Sequence, residues 1–176
     1  MGKLMGASVK RVEDQRFITG KGQYTDDIKL PGMTFATIVR SPFAHANIKS
    51  IDTSAAQNAP GYVASFVGSD IADAIAGVPC GWQVDFKNGD TMNEPPHPLL
   101  ARGKARHVGD AVAVVIAETQ AQAKDAAALV EIEYEELPAV VNISEALKDG
   151  APQLHEEAPN NCIFEWELGS GMDVVN

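Results

Sequence analysis

The residues of this 176-residue chain best suited to metal ligation or nucleophilic chemistry are four histidines and two cysteines. His45, His97, His107 and His155 are scattered, and no two stand four apart, the spacing that puts two imidazoles on one face of a zinc-binding helix. Cys80 precedes His97 and Cys162 follows His155, so folding could assemble a four-ligand site. The plainer alternative is four separate histidines, at the surface or each held by one hydrogen bond.

Gly20-Lys21-Gly22 has the look of a phosphate loop, but a glycine follows the lysine where Ser or Thr is needed, and no apolar strand precedes it. Turn punctuation is the better reading. Asp26-Asp27 and Glu135-Glu136 are adjacent carboxylates. A general acid and base must face one substrate, whereas consecutive strand residues point to opposite faces, so both pairs read as solvated surface. There is no Gly-x-Ser-x-Gly elbow, dinucleotide fingerprint or basic-aromatic stripe. No catalytic, cofactor-binding or metal-binding residue is therefore assigned.

The elements that would position these side chains follow from local patterning. Residues 1 to 33 are polar and irregular, punctuated by Gly20, Gly22, Pro31 and Gly32, and read as an extended arm. Thr34–Arg40, Ala46–Asp52 and Tyr62–Val67 read as strands, with Ser41-Pro42 stopping the first and Pro60-Gly61 turning into the third. Ser69 is placed to cap a short helix with Ile71, Ala74 and Ile75 on its apolar face. Residues 76 to 98 hold three glycines and four prolines without any period, which makes them a long loop.

Ala111–Ala117 is a continuous apolar run, as in a strand covered on both faces. Thr119 and Gln122 form a capping box, and Ala123, Ala126, Ala127 and Val130 then recur at helical spacing. Glu131–Glu135 alternates as a half-solvated strand does. Residues 111 to 135 thus form a strand–helix–strand unit, read as a right-handed crossover. Ser144–Lys148 reads as a one-turn helix and Ile163–Leu168 as a last strand. The expected class is α+β with a mixed sheet. The expected organisation is an arm at residues 1–24, a folded domain at 25–148 and a tail at 149–176.

Lys and Arg total 14 against 24 for Asp and Glu, a formal charge of −10. That balance repels phosphate backbones and anionic lipid, so nucleic acid and membrane surface are excluded as partners. No apolar stretch approaches the roughly 18 residues that span a bilayer. The amino terminus leads into no apolar segment of a secretory signal. A cytoplasmic location and unpaired cysteines are expected.

The landmarks are more specific in their order than singly. Arg11-Val12-Glu13-Asp14 leads to Arg16-Phe17-Ile18-Thr19-Gly20-Lys21-Gly22-Gln23-Tyr24-Thr25-Asp26-Asp27 and Leu30-Pro31-Gly32-Met33. Arg40-Ser41-Pro42-Phe43-Ala44-His45-Ala46 and Pro60-Gly61 follow. Val108-Gly109-Asp110-Ala111-Val112-Ala113, Ala117-Glu118-Thr119 and Tyr134-Glu135-Glu136-Leu137-Pro138-Ala139-Val140 complete the series. In this order the chain resembles the amino-terminal α/β hammerhead domain of the molybdenum-bearing large subunit in the xanthine dehydrogenase and aldehyde oxidase family. It is most like the carbon monoxide dehydrogenase-like branch. One departure is Gly109-Asp110-Ala111, where the family commonly has proline in third place; its loss leaves one more N–H to satisfy.

The resemblance implies an intact enzyme that hydroxylates a small organic substrate or oxidises carbon monoxide with oxygen from water. It implies molybdenum on a molybdopterin dinucleotide, two 2Fe–2S clusters and FAD, all carried outside this chain. The implied partners are the remainder of the large molybdenum subunit and the iron–sulfur and flavin subunits. The implied role here is non-catalytic scaffold and interface. The alternative is an independent hammerhead-type binding module. The ending Gly169–Asn176 does not run into a further domain, so a split subunit, a shortened gene product or an excised segment is expected. Residues 1–24 and 76–98, the latter with Trp82, Phe86 and Met92, are expected to be ordered by partners, with self-association as the substitute in isolation.

Overall fold

The computed structural model describes residues 6–166, and the chain divides between Met33 and Thr34 into two compact units. The first unit is less extended than its composition suggests. Asp14–Ile18 forms a short helix, α1, with an acidic start and a basic end that suit the helix dipole. Gly20, at φ 70°, closes it: Lys21 N–H donates to Arg16 O at 2.9 Å and Gly20 N–H to Phe17 O at 3.1 Å. The glycine–lysine–glycine segment is therefore a helix-end turn. Phe17 stacks on Tyr24 with ring centroids 5.6 Å apart. Asp27 follows in a single 3-10 turn, Thr25–Asp27, and its carboxylate accepts the Tyr24 N–H at 3.0 Å.

The second unit contains β1 (Phe35–Arg40), β2 (Ala46–Asp52), α2 (Ser54–Gln57), β3 (Tyr62–Val67), β4 (Lys104–Ala105), β5 (Ala111–Ala117), α3 (Gln120–Ala127), β6 (Glu131–Glu136) and α4 (Ile143–Ala146). A 3-10 turn, Pro159–Asn161, follows. The α+β class and the strand–helix–strand order are as expected, but the pairing is not that of one mixed sheet. Two antiparallel three-stranded sheets form, ordered β1-β5-β3 and β4-β2-β6. Because β5 and β6 lie in different sheets, α3 bridges two sheets and is not a crossover within one. Hydrophobic patterning fixes a strand's faces, not its neighbours.

Small residues make the core. Val39 and Val115 point to the α3 side of the first sheet, where Ala56, Ala126 and Ala127 meet them. Ala113, Ala117 and Ala123 are also fully buried, so the helix axis sits close to the strands. Val112 and Val115 are the largest fully buried side chains, each contributing on the order of 1.5–3 kcal/mol of burial. Thr119 caps α3 by accepting the Gln122 N–H at 3.3 Å. Gln122 reaches back to the Thr119 hydroxyl, at 2.8 Å, and not to the backbone N–H of a full capping box.

Three local expectations change. Residues 69–74 are a run of turns and not a helix, and Ile75 is irregular. The Asp70 carboxylate accepts the Val67 N–H at 2.8 Å, and Ile75 N–H bonds Ile71 O at 3.0 Å, but Gly77 and Pro79 follow before a second helical turn can form. Residues 163–166 are not strand, and Leu168 lies outside the described residues, as does the ending from Gly169. The helix expected at Ser144–Lys148 starts earlier, at Ile143, because Asn142 caps it by accepting the Ser144 N–H at 2.8 Å.

Candidate functional site

Asp110 organises the tight connection between β4 and β5. Its carboxylate accepts the Arg106 N–H at 2.9 Å, and its own N–H donates to His107 O at 3.1 Å. Gly109, at φ 90°, lets the chain turn, and its N–H reaches Ser41 O at 2.8 Å while Ser41 N–H returns to Asp110 O at 2.8 Å. The end of β1 thereby holds the connection in place.

The segment after α4 comes to the same region through Asn161. With φ 55°, Asn161 donates to Ala146 O and Pro152 O, both at 3.0 Å, and accepts the Leu154 N–H at 3.0 Å. Leu154 O in turn accepts from Arg106 Nε at 2.9 Å. The long loop is fixed as well: Asn93 N–H bonds Ile163 O at 2.9 Å, and its side chain donates to Cys162 O at 2.8 Å. Trp82 meets Trp166 edge to face with centroids 5.9 Å apart.

Between these segments lies a cavity of about 350 Å3 lined by Pro95, Pro96, His97, Pro98, Ala101, Arg106, His107, Asp110, His155 and Ile163. Three of the four histidines scattered in sequence meet here. Burial pushes the His155 imidazole below its ordinary value, helped by Arg106 and opposed by Glu157; His97 lowers it further and Asp110 raises it. His155 Nδ1 is buried without a hydrogen-bond partner among the described residues. His107 stands 3.8 Å from Asp110, too far for a hydrogen bond.

The other candidates go elsewhere. His45 is buried, its Nδ1 2.8 Å from Pro138 O, where it ties β2 to the chain leaving β6. Both cysteines are free. Cys80 Sγ donates to Trp82 O at 3.0 Å and Cys162 Sγ to Phe164 O at 3.7 Å. Among the described residues, no group of three or more His, Cys, Asp or Glu side chains could hold a metal ion, so the four-ligand alternative is not assembled there. Glu135 is bound by Lys49, at 2.6 Å, and Asn47, at 2.8 Å, which hold its carboxyl below the usual range. Glu136 occupies the opposite side of the strand. Arg106 and Asn161 carry no functional motif in the sequence, and Asp110 stands there only within a family landmark. Only the Asn160-Asn161 pair, a residue type tolerant of positive φ, offered a signal. No described helix is long and apolar enough to cross a membrane.

Residues 19–138 match the family described as aldehyde oxidase and xanthine dehydrogenase, α/β hammerhead domain. The chain is 39% identical to the carbon monoxide dehydrogenase large chain of Afipia carboxidovorans, over 94% of this chain and 21% of that one. It is 40% identical to the xanthine dehydrogenase molybdenum-binding subunit of Escherichia coli O157:H7, over 82% and 19%. Among solved structures it resembles quinoline 2-oxidoreductase from Pseudomonas putida 86, with TM-score 0.73, 44% identity, and coverage of 85% of this chain and 18% of that one. The chain spans about a fifth of the length of these relatives.

Proposed function

The chain belongs to the aldehyde oxidase and xanthine dehydrogenase α/β hammerhead family, and from that premise we propose that it is a non-catalytic, amino-terminal portion of a molybdenum hydroxylase large subunit. Its role in this reading is scaffold and interface. The observation that carries the proposal is coverage: 94% of this chain aligns with only 21% of a carbon monoxide dehydrogenase large chain. Reaction chemistry then belongs to the other four-fifths.

The side chains support that division. The described residues offer no cluster of ligands for a metal, and Cys80 and Cys162 are engaged with nearby carbonyls. They do not fit molybdenum or an iron–sulfur cluster, and no reaction step is assigned to them. In the proposed assembly, molybdenum on a molybdopterin dinucleotide, two 2Fe–2S clusters and FAD reside in the remainder of the large subunit and in the iron–sulfur and flavin subunits. That assembly hydroxylates a small substrate, or oxidises carbon monoxide, with oxygen from water. Residues 25–148 form the proposed domain, with 1–24 and 149–176 as connecting segments.

The β1-β5-β3 sheet supplies a surface suited to an interface. Ile38, Val114 and Phe66 stand in one cross-strand row on the side away from α3. Ile38 is 43% exposed and Phe66 39%, so an apolar row faces water and is available for burial. The test is co-expression of the chain with a polypeptide covering the remaining large subunit and with the iron–sulfur and flavin subunits. The expected result is stoichiometric co-elution, with molybdenum retention dependent on this chain. An active, molybdenum-loaded assembly that forms without the chain and ignores it when added would overturn the proposal.

A further inference from the structure

We propose that the cavity between Pro95–Pro98, the β4–β5 connection and His155 is a binding site for a small carboxylate with an apolar body. This inference is independent of the scaffold role.

Arg106 is the recognition group. Its Nε is committed to Leu154 O and its backbone N–H to Asp110, which fixes both ends of the side chain. Its two terminal nitrogens make no hydrogen bond or ion pair with the described residues. A planar guanidinium held in this way presents a fork that matches a carboxylate. Asp110 is the one carboxylate lining the cavity, and its Oδ2 already accepts the Arg106 N–H and stands 3.8 Å from His107. Among the described residues, the cation therefore lacks a carboxylate partner for its terminal nitrogens.

His97 and His155 stand beside it in the lining and narrow the space around the guanidinium. The remaining walls are Pro95, Pro96, Pro98, Ala101 and Ile163. A cavity of about 350 Å3 lies at the small end of the range for organic ligands. One fixed cation with apolar walls suits a singly charged carboxylate. Inorganic phosphate would keep a charge and hydration that these walls cannot replace.

The test uses the full 176-residue chain and benzoate as probe, followed by amide chemical shifts, with inorganic phosphate in parallel. Saturable shifts at residues 95–98, 106–110 and 155 are expected, with a Kd near or below about 1 mM, and no comparable saturation with phosphate. Arg106→Gln should weaken benzoate at least tenfold. Because that change also loosens the tie to Leu154, His97→Glu provides a second arm: His97 is exposed, so the fold should persist while the new carboxylate repels the ligand. Arg102→Gln, outside this cavity, should bind as the parent does. Absence of saturation by 10 mM benzoate (about tenfold above the expected Kd), equal saturation by phosphate, or binding unchanged in both Arg106→Gln and His97→Glu would each overturn the proposal.

Discussion

Gly61 lies directly beneath the Gln122 side chain, so that a Cβ at this position would overlap the Gln122 amide. The same amide accepts the Thr119 hydroxyl at 2.8 Å, and Gly61 O accepts the Glu118 N–H at 2.9 Å. The turn entering β3 and the start of α3 thus share one polar junction.

Gly61→Ala should cost more than its backbone strain alone. At φ 71°, a Cβ costs roughly 1–2 kcal/mol, and displacing Gln122 also disturbs the cap. In a Gln122→Ala background the overlap is gone and the backbone cost remains. Urea midpoints of the two single variants and the double variant should therefore be less than additive. Additive losses would show that the two sites are independent.

Ala126→Leu should lose roughly 1–3 kcal/mol, because extra methylenes must enter the contact between α3 and Val115. Gln122→Ala removes only a support of the Thr119 cap and should lose less, at most about 1 kcal/mol. Denaturation of both variants against the parent decides it, and equal or reversed losses would contradict the packing of α3.

The contrast between α3 and the cavity explains what was legible in the sequence. Ala123, Ala126 and Val130 recur at helical spacing, and Ala111–Ala117 is uniformly apolar, because each element meets its core through a regular face. Sheet partners carry no such local signature: nothing within β6 states that it pairs with β2 and not with β5. The cavity was less legible still. Its polar members come from three distant segments, joined by Asn161, Asn93 and Asp110 through hydrogen bonds to main-chain atoms. Hydrogen bonds to the main chain read no sequence and leave no pattern in it.

Acid should loosen the segment around His155. Burial, then Arg106, lower the folded-state pKa of this imidazole, so the folded chain favours the neutral ring. Its contribution is fully present above the unfolded histidine value of about 6.5 and is lost as pH falls through that value toward the lower folded one. His155→Gln should flatten the stability profile between about pH 7 and 5. An unchanged acid limb in urea titrations of the variant would rule out His155 as the source.

The loop at 76–98 should respond to changes in the tail it touches. Asn93 bonds Cys162 O and Ile163 O, and Trp82 meets Trp166, although Trp82 remains 69% exposed. Trp166→Ala should raise amide exchange across residues 80–94 while leaving β5 and α3 protected. Exchange that stays unchanged in the loop would mean that these contacts do not order it.

Ile38→Glu should separate folding from assembly. Ile38 lies mid-strand, and its side chain stands on the sheet face away from Val39, Val115 and α3. A charge there does not enter the core, so the isolated chain should lose no more than about 1 kcal/mol. The same charge would have to be desolvated if the row of Ile38, Val114 and Phe66 became buried, a cost of several kcal/mol for an unpaired carboxylate. In isolation, that row is expected to drive self-association, and sedimentation velocity should show its concentration dependence diminished in the variant. With the remaining large subunit present, the variant should fail to co-elute while its circular dichroism matches the parent. Normal co-elution by the folded variant would place the interface on another surface.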